Sequence, residues 1–345
     1  MLTMPRPSLP RLRILTWHVH GSYLYYLSQL PHHFYVPVKP GRPTDYGGRP
    51  PGRSWPAHLH EVPAQDLKNL EFDAILFQSP GPYQHDQYEL LTDSQRALPQ
   101  LYLEHDPPRA SPTDTPHIVD DESVLLVHVT HFNALMWDSR RTPVCVVSHG
   151  VTIPPDVQYT GHIPRGLVVV NDLARRGRRL GLDIFERMRV EIPLDLVGMG
   201  SEAVGGLGEV PAESLPALMA GYRFFFNPIR YTSLGLAVCE AMAAGVPIIG
   251  LATTEMSAVV RNGVSGYIYN DLEKLKERMR ELIDAPEKAR ALGEGARRYA
   301  QAQFSIARFA YDWERALLAA LKLRASGHGH VRAGGLNEQA DCAYK

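Results

Sequence analysis

Cysteine is scarce: the chain has three, Cys145, Cys239 and Cys342, odd in number and far apart. That excludes the disulfide framework that staples small secreted domains, and it suits a reducing compartment. No apolar run approaches the roughly 18 residues that span a bilayer as a helix. The opening MLTMPRPSLPRLR also lacks the apolar centre of a signal peptide, so the sequence reads as cytoplasmic. Net charge is nearly absent, with 36 Lys and Arg against 37 Asp and Glu, so no global field favours nucleic acid. No Asp-x-Asp motif occurs, and no catalytic metal is implied. What is present is ordinary in amount: 345 residues, 44% apolar and 21% charged, the composition of a soluble globular protein of two domains.

The most informative stretch runs from Phe224 to Gly250. Phe224, Phe225 and Phe226 form a short apolar run stopped by Asn227-Pro228, and Val246, Ile248, Ile249 and Leu251 form another after Gly245 and Pro247; both read as strands of a sheet covered on two faces. Between them the pattern predicts a helix through Leu236, Val238, Cys239, Met242 and Ala243, capped by Thr232 or Ser233 and ended by Gly245. The helix is apolar nearly all round, so it is expected to be buried. Glu240 is the only charge between Arg230 and Glu255 and points between Leu236 and Ala243. A carboxylate removed from water costs several kcal/mol unless paired. Glu240 therefore meets either protein donors or a ligand's hydroxyls, and the helix by itself does not choose.

The run NPIRYTSLGLAVCEAMAAGVPIIG resembles the signature of retaining GT-B glycosyltransferases of the family-4 type, whose motif is Glu, seven residues, Glu. The resemblance implies that Glu240 binds the ribose hydroxyls of a nucleotide-sugar donor and that the amides of Ser233, Leu234 and Gly235 approach its diphosphate. A helix N-terminus attracts phosphate for its own reasons, since its N–H groups and dipole point outward. The first Glu of the motif falls on Thr232, at a position that in the family contacts the transferred sugar or supports the site.

Taken in order, residues 1–10 form a proline-rich lead-in, followed by a strand from Leu12 to Val19, a turn at Gly21 and a helix through Tyr23, Leu24, Leu27 and Leu30. This resembles the first strand, glycine turn and helix of the acceptor-side GT-B domain. His18 and His20 form an H-x-H expected on one side of that strand, a pattern with which several metal-dependent hydrolases begin their site; no further ligand set with recognisable spacing follows it. Pro37 to Pro63 reads as a Gly-, Pro- and Arg-rich surface loop, Phe72 to Phe77 as a strand, Tyr88 to Leu98 as a helix and Gln100 to Glu104 as a strand ending at His105-Asp106. The alternation predicts a parallel sheet with its ligand crevice at the strands' carboxyl ends. His105 stands where the family has a histidine contacting the donor sugar; the alternative is a histidine that caps the next loop. Val124–Val129 and Val144–Val147 are further strands, and Ser148-His149-Gly150-Val151 resembles the family's Asn-Gly-Val segment.

A hinge is expected at Thr152 to Arg165, then a strand from Gly166 to Val170, a helix near Leu180 to Met188 and a strand at Pro193 to Val197. In the family an Arg and a Lys after the first of these strands hold the leaving diphosphate. Arg176 matches the Lys, and Asn171 stands where the Arg would be. Arg175, Arg178 and Arg179 are near enough to replace its charge, guanidinium forks suiting phosphate, while a solvated basic face is the alternative. Gly208 lies in a glycine-rich loop, Gly205 to Val210, resembling one that borders the nucleobase. Asn262 to Tyr267 matches a family turn; helices follow at Leu272–Ile283 and Pro286–Ala302. A last helix, Phe304–Leu323 with Trp313, is implied to cross back to the first domain. The composition from Ala325 onward is that of a disordered tail.

The resulting expectation is an α/β chain of the GT-B class, two doubly wound Rossmann-like domains facing a cleft. Residues 1–155 form the acceptor side, 156–305 the donor domain, 306–323 the crossover helix and 324–345 the tail. The expected activity is retaining transfer of a hexosyl group from a nucleoside-diphosphate sugar. His105 and Arg176 are its catalytic residues; Glu240, Thr232, Ser233, Leu234, Gly235, Gly208, Asn171, Arg175 and Gly21 surround the donor. No cofactor is required, and the acceptor stays open among a sugar, a lipid-linked glycan and a small molecule, as does peripheral membrane contact. Two other classes remain: a non-catalytic nucleotide or sugar binder, suggested by Thr232 and Asn171, and a hydrolase using His18 and His20.

Overall fold

A computed structural model describes residues 9–327 of the chain. The expected lead-in and tail fall almost wholly outside that range. Within it, two parallel sheets are built from twelve strands. The first sheet comprises β1 (Arg13–Thr16), β2 (His33–Val38), β3 (Leu59–Pro63), β4 (Ala74–Phe77), β5 (Gln100–Glu104), β6 (Val124–His128) and β7 (Val144–Val146). Its order is β3-β2-β1-β4-β5-β6-β7. The second holds β8 (Ile163–Val169), β9 (Leu194–Val197), β10 (Tyr222–Asn227), β11 (Ile248–Gly250) and β12 (Gly266–Ile268), in the order β12-β11-β10-β8-β9. Every strand pair is parallel, with Phe225 beside Ile248 and Leu167 in the second sheet and Leu15 beside Ile75 and Tyr35 in the first.

The α-helices of six or more residues are α1 (Gly21–Leu27), α2 (His131–Met136), α3 (Leu182–Arg189), α4 (Leu215–Gly221), α5 (Leu236–Ala243), α6 (Leu272–Asp284), α7 (Pro286–Gln303) and α8 (Ile306–Gly327). Continuous apolar strands such as Phe224-Phe225-Phe226 are buried because helices cover both faces. Phe224 and Phe226 join one core with α3 and α6, whereas Phe225 joins the other with Val238, Met242 and Ala296.

Three expectations need correction. Pro37 to Pro63 is not all loop: its ends are β2 and β3, which pair from Phe34↔Leu59 to Val38↔Pro63, and the proline at 37 lies beyond the β1 register, which ends at Tyr35. The stretch from Tyr88 to Leu98 is not one helix but two short pieces, Gln87–Leu90 and Asp93–Arg96. Thr92 between them makes a capping box with Gln95, starting the second piece afresh. His18 and His20 do not share a strand face, because β1 ends at Thr16 and both lie in the turn that follows.

The last helix, α8, leaves the second sheet and packs on β5 and β6 of the first. Its Trp313 is fully buried, Phe309 stacks edge-on to Tyr23 of α1 at 5.9 Å, and Arg308 donates to the carbonyl of Ser148 at 2.9 Å. The chain is thereby tied back across the seam between the two sheets.

Candidate active site

Each strand order reverses direction once, between β1 and β4 in the first sheet and between β8 and β10 in the second. At such a switch point consecutive connections leave to opposite faces and open a crevice beyond the carboxyl ends. Those ends carry Trp17 to Gly21 and Gln78 to Gly81 on one side, and Val170 to Arg176 and Pro228 to Gly235 on the other. The crevices face each other, as four bonds across the seam demonstrate. Tyr26 donates to Glu240 at 2.6 Å, His149 to the Leu234 carbonyl at 2.7 Å, Tyr231 to the Pro108 carbonyl at 2.9 Å, and the Phe132 amide to Glu255 at 2.8 Å.

On the second side, α5 begins without a side-chain cap: Gly235 is the N-cap residue, extended at φ −70° and ψ 138°. The expected cap by Thr232 or Ser233 is thus not formed, and both lie half-buried in the preceding turn. Leu234 is buried and anchored through its carbonyl by His149; the Val238 amide bonds back to the Gly235 carbonyl, and the amides of Leu236 and Ala237 before it have no intrahelical acceptor. Glu240, one turn further in, is 6% exposed. Burial raises its proton affinity, while the Tyr26 hydrogen bond and the Arg53 charge favour the carboxylate. Glu240 therefore has a protein donor, and that donor comes from the other half of the molecule. The unstacked edge of this cluster is covered by Arg53, whose guanidinium lies 4.5 Å from the Tyr25 ring.

The turn after β8 starts with Asn171, whose side-chain carbonyl accepts the Met199 amide at 3.0 Å, and Asp172 in the left-handed region at φ 52°. Asn171 therefore braces the neighbouring turn after β9. Arg175 is exposed and paired to Asp172 at 2.7 Å, and Arg178 is exposed and paired to Asp183 at 2.7 Å. Arg176 is half-buried, has no ion-pair partner among the described residues, and holds its proton less firmly than usual, first because of burial and then because Arg179 is near. Gly208 adopts φ +92° and gives its amide to Ser201 Oγ at 2.9 Å while its carbonyl accepts from Gly198. The glycine-rich loop is thus pinned beside the end of β9.

On the first side, His105 follows β5 as expected. Gln78 donates its amide to Thr16 Oγ1 at 2.8 Å and to the Trp17 carbonyl at 2.9 Å, so its oxygen faces His105 Nε2 at 3.0 Å and His105 is the donor. Burial pushes the His105 imidazole well below its usual range, and His20 and His149 push the same way; the ring is neutral. His20 and Tyr23 both stand edge-on to it at 4.8 Å. Gly21 opens α1 beneath the 39–58 segment, where a Cβ would come within 2.8 Å of Pro50. His18 packs between Gly47 and Gly21, its Nε2 3.6 Å from where a Gly21 Cβ would lie. Among the described residues no group of three or more His, Cys, Asp or Glu is placed to hold a metal ion.

The structure thus gathers Glu240, Ser233, Leu234, Gly235, Arg176, His105 and Gly21 around one seam, and it leaves Arg175 in solvent. Tyr26 and Tyr231 were not picked out by their local sequence, and the partners of His149 and of Glu255, the latter in a loop expected to border the donor site, were not legible either, because each of the four acts on a residue 85 or more positions away. A cavity of about 390 Å³ opens behind Leu234, lined among others by Thr130, His149 and Glu255.

Comparison with known proteins agrees with this geometry. Residues 199–299, which contain α5 and Glu240, match the family model for glycosyl transferases group 1. Sucrose-phosphate synthase from Thermosynechococcus elongatus superposes with a TM-score of 0.63 over 92% of this chain and 99% of that one, at 16% identity. The fold is GT-B. Anabaena HepE, in a complex with UDP and glucose, shares this GT-B fold with a TM-score of 0.62 over 90% of this chain and 100% of its own, at 13% identity. In sequence, the O-antigen chain mannosyltransferase B of Escherichia coli is 44% identical over 54 residues, 16% of this chain and 14% of that protein. The likeness to curated relatives therefore spans a small part of their length. No helix among the described residues is long and apolar enough to cross a membrane.

Proposed function

We propose that the chain transfers a hexosyl group from a nucleoside-diphosphate sugar to an acceptor hydroxyl with retention of anomeric configuration. The observation that carries this reading is a buried carboxylate, Glu240, one turn inside a helix whose N-terminus opens onto the cleft, within the segment similar to glycosyl transferases group 1. Glu240 binds the ribose hydroxyls. The amides at Ser233, Leu234 and Gly235 approach the diphosphate, with Thr232 beside the transferred sugar. Gly208 and its loop border the base, and His105 and Gly21 face the sugar from the other half.

In the proposed step the bond from the anomeric carbon to the phosphate oxygen breaks as that carbon bonds to the acceptor oxygen on the same face. The acceptor's proton passes to the departing phosphate oxygen. Arg176 and the helix N-terminus stabilise the charge that develops on the diphosphate, so neither a protein nucleophile nor a cofactor is needed. The neutral His105, donating through Nε2 to Gln78, orients the sugar and does not titrate near neutral pH. The acceptor class is a sugar, a lipid-linked glycan or a small molecule.

Calorimetric titration with UDP, GDP, ADP and their sugar conjugates, with and without chelator, tests this. UDP comes first because HepE is similar in fold and its complex holds UDP and glucose. One nucleotide is expected to bind regardless of chelator, and Glu240→Gln to weaken it by about 1.5–3 kcal/mol, the range of a charge-assisted hydrogen bond. Equal affinity in the variant would refute the ribose role. A second reading, a binder without turnover, is favoured by Thr232 and by Asn171, whose carbonyl is engaged with Met199. Slow hydrolysis of the bound donor in the absence of acceptor would decide against it.

A further inference from the structure

The 39–58 segment holds three arginines, Arg42, Arg49 and Arg53, yet the fold turns their charge away from the crevice of the first sheet. Arg42 pairs with Glu61 of β3 at 2.9 Å, Arg49 lies 3.9 Å from the same carboxylate, and Arg53 covers the Tyr25 ring beside Glu240. What the segment directs toward the switch point between β1 and β4 is an acid. Asp45, left-handed at φ 69°, forms a backbone bridge to His18, and its Oδ2 lies 3.6 Å from where a Gly81 Cβ would stand in the loop after β4. Asp86, at the end of the turn Pro82–Asp86 in the same loop, accepts the hydroxyl of the neighbouring Tyr46.

Among the described residues neither carboxylate has an ion-pair partner; Lys39 instead sits over the Tyr46 ring, 3.8 Å from its centroid. Burial raises the proton affinity of Asp45, the Ser79 hydroxyl draws it down, and the Asp86 charge raises it again. Ser79 is the second, independent feature of this spot. It is 9% exposed, and its Oγ is buried without a hydrogen bond although it faces the Asp45 carboxyl. A buried hydroxyl without a partner and two acids without a counter-ion are each costly, and one ligand placed among them relieves both costs. Ser79 also follows Gln78, which holds His105. The acids therefore border the place from which an acceptor hydroxyl approaches the sugar.

We propose that Asp45, Asp86 and Ser79 hold the acceptor by a protonated amine, and that the acceptor is a hydroxylated amine, of the amino-sugar or aminocyclitol class. The ammonium supplies the counter-charge that both carboxylates lack, and the Ser79 hydroxyl bonds a hydroxyl of the same ligand. An anionic acceptor is repelled by the pair, and a neutral one leaves the acids uncompensated. Selection thus comes from the inward acid of a segment whose composition is basic. This inference rests on the glycosyl-transfer reading above and gives its acceptor a chemistry.

The test titrates the full chain, followed by saturation-transfer NMR, with glucosamine and streptamine against their neutral counterparts glucose and inositol, and with N-acetylglucosamine. The amines are expected to bind at least about 10-fold more tightly than the neutral compounds, N-acetylglucosamine to behave like glucose, and Asp45→Asn or Asp86→Asn to remove the preference. Asp66→Asn, at an exposed acid of the same half, should change it by less than about twofold, which separates a site from a general field. Ligand-free Asp45→Asn is expected to melt no lower than wild type, since it loses a repelled charge, so its loss of preference is not unfolding. Equal binding of amines and neutral compounds, a preference that survives both Asn variants, or no binding of either amine overturns the proposal. UDP, GDP and ADP are titrated alongside. A nucleotide that binds wild type and Asp45→Asn alike while the amines fail leaves the donor reading standing and this one fallen. Amines that bind as expected where no nucleotide does leave the amine site standing and remove the donor beside it.

Discussion

Glu240 shows how much one buried carboxylate depends on one distant hydroxyl. It is 6% exposed, and Tyr26, from α1, donates to it at 2.6 Å. Removing that donor leaves an ionised group with less compensation, so Tyr26→Phe is expected to lose about 1.5–3 kcal/mol of stability at neutral pH. The pH dependence follows from the direction of the shift. Burial raises the folded-state pKa of Glu240 above its unfolded value near 4.5. The neutral acid therefore favours folding below that value, and this contribution is lost as pH rises through the raised pKa. Tyr26 offsets the loss by stabilising the carboxylate, so the deficit of Tyr26→Phe should be full at neutral pH and shrink as the medium is acidified. Urea unfolding of both proteins across that range checks it; a deficit independent of pH would mean that Tyr26 acts through packing alone.

Helix α7 carries two glycines, Gly293 and Gly295, where propensity alone favours alanine. In an exposed helix interior, Gly→Ala gains about 1 kcal/mol. Here a Cβ on Gly295 would lie 1.8 Å from the Val264 carbonyl oxygen, and one on Gly293 would lie 2.0 Å from that of Gly245. Both contacts are with backbone, which cannot rotate aside. The close approach lets α7 pack against α5 and the turn leading into β11, and so fixes the helix that bears Glu240. Gly295→Ala is accordingly expected to destabilise by about 2 kcal/mol, overpacking exceeding the propensity gain. A denaturation midpoint that rises instead would show that α7 sits less tightly than drawn.

The whole molecule is held by contacts that run across the seam. Trp313 on α8 is fully buried and packs 6.3 Å from Phe309, itself against Tyr23. Trp313→Ala is expected to cost about 3–5 kcal/mol and to loosen the halves, read as lost protection of the α1 amides in hydrogen exchange. Acid should act at the same scale. His128 and His149 are 0% and 5% exposed, and burial brings their pKa values down to about 3 and about 4 from 6.5. Their neutral forms favour folding above pH 6.5, and this stability is lost as pH falls toward those depressed values. Together they account for a loss of up to about 3 kcal/mol per pH unit below 6.5. His149→Asn should flatten the slope of unfolding free energy between pH 6.5 and 5; an unchanged slope would assign it to other groups.

The fold was readable from the chain because its strands are continuous apolar runs and its helices have clear periods, both local properties. Phe224–Phe226, the stop at Asn227-Pro228 and the helix through Val238 and Met242 follow from neighbours alone. The same holds for the need of Glu240 for a partner, since an isolated charge on an apolar helix is visible in sequence. The identity of that partner was not, because Tyr26 lies 214 residues away. Nor could the sequence sort Arg175, Arg178 and Arg179, which differ only in what they face after folding. Short stretches also misled where one residue outweighed a pattern, as when the Thr92 capping box divided a single expected helix. Sequence alone determined which elements form and which charges must be compensated; the tertiary structure decided by what, because compensation is made across a seam that no local stretch contains.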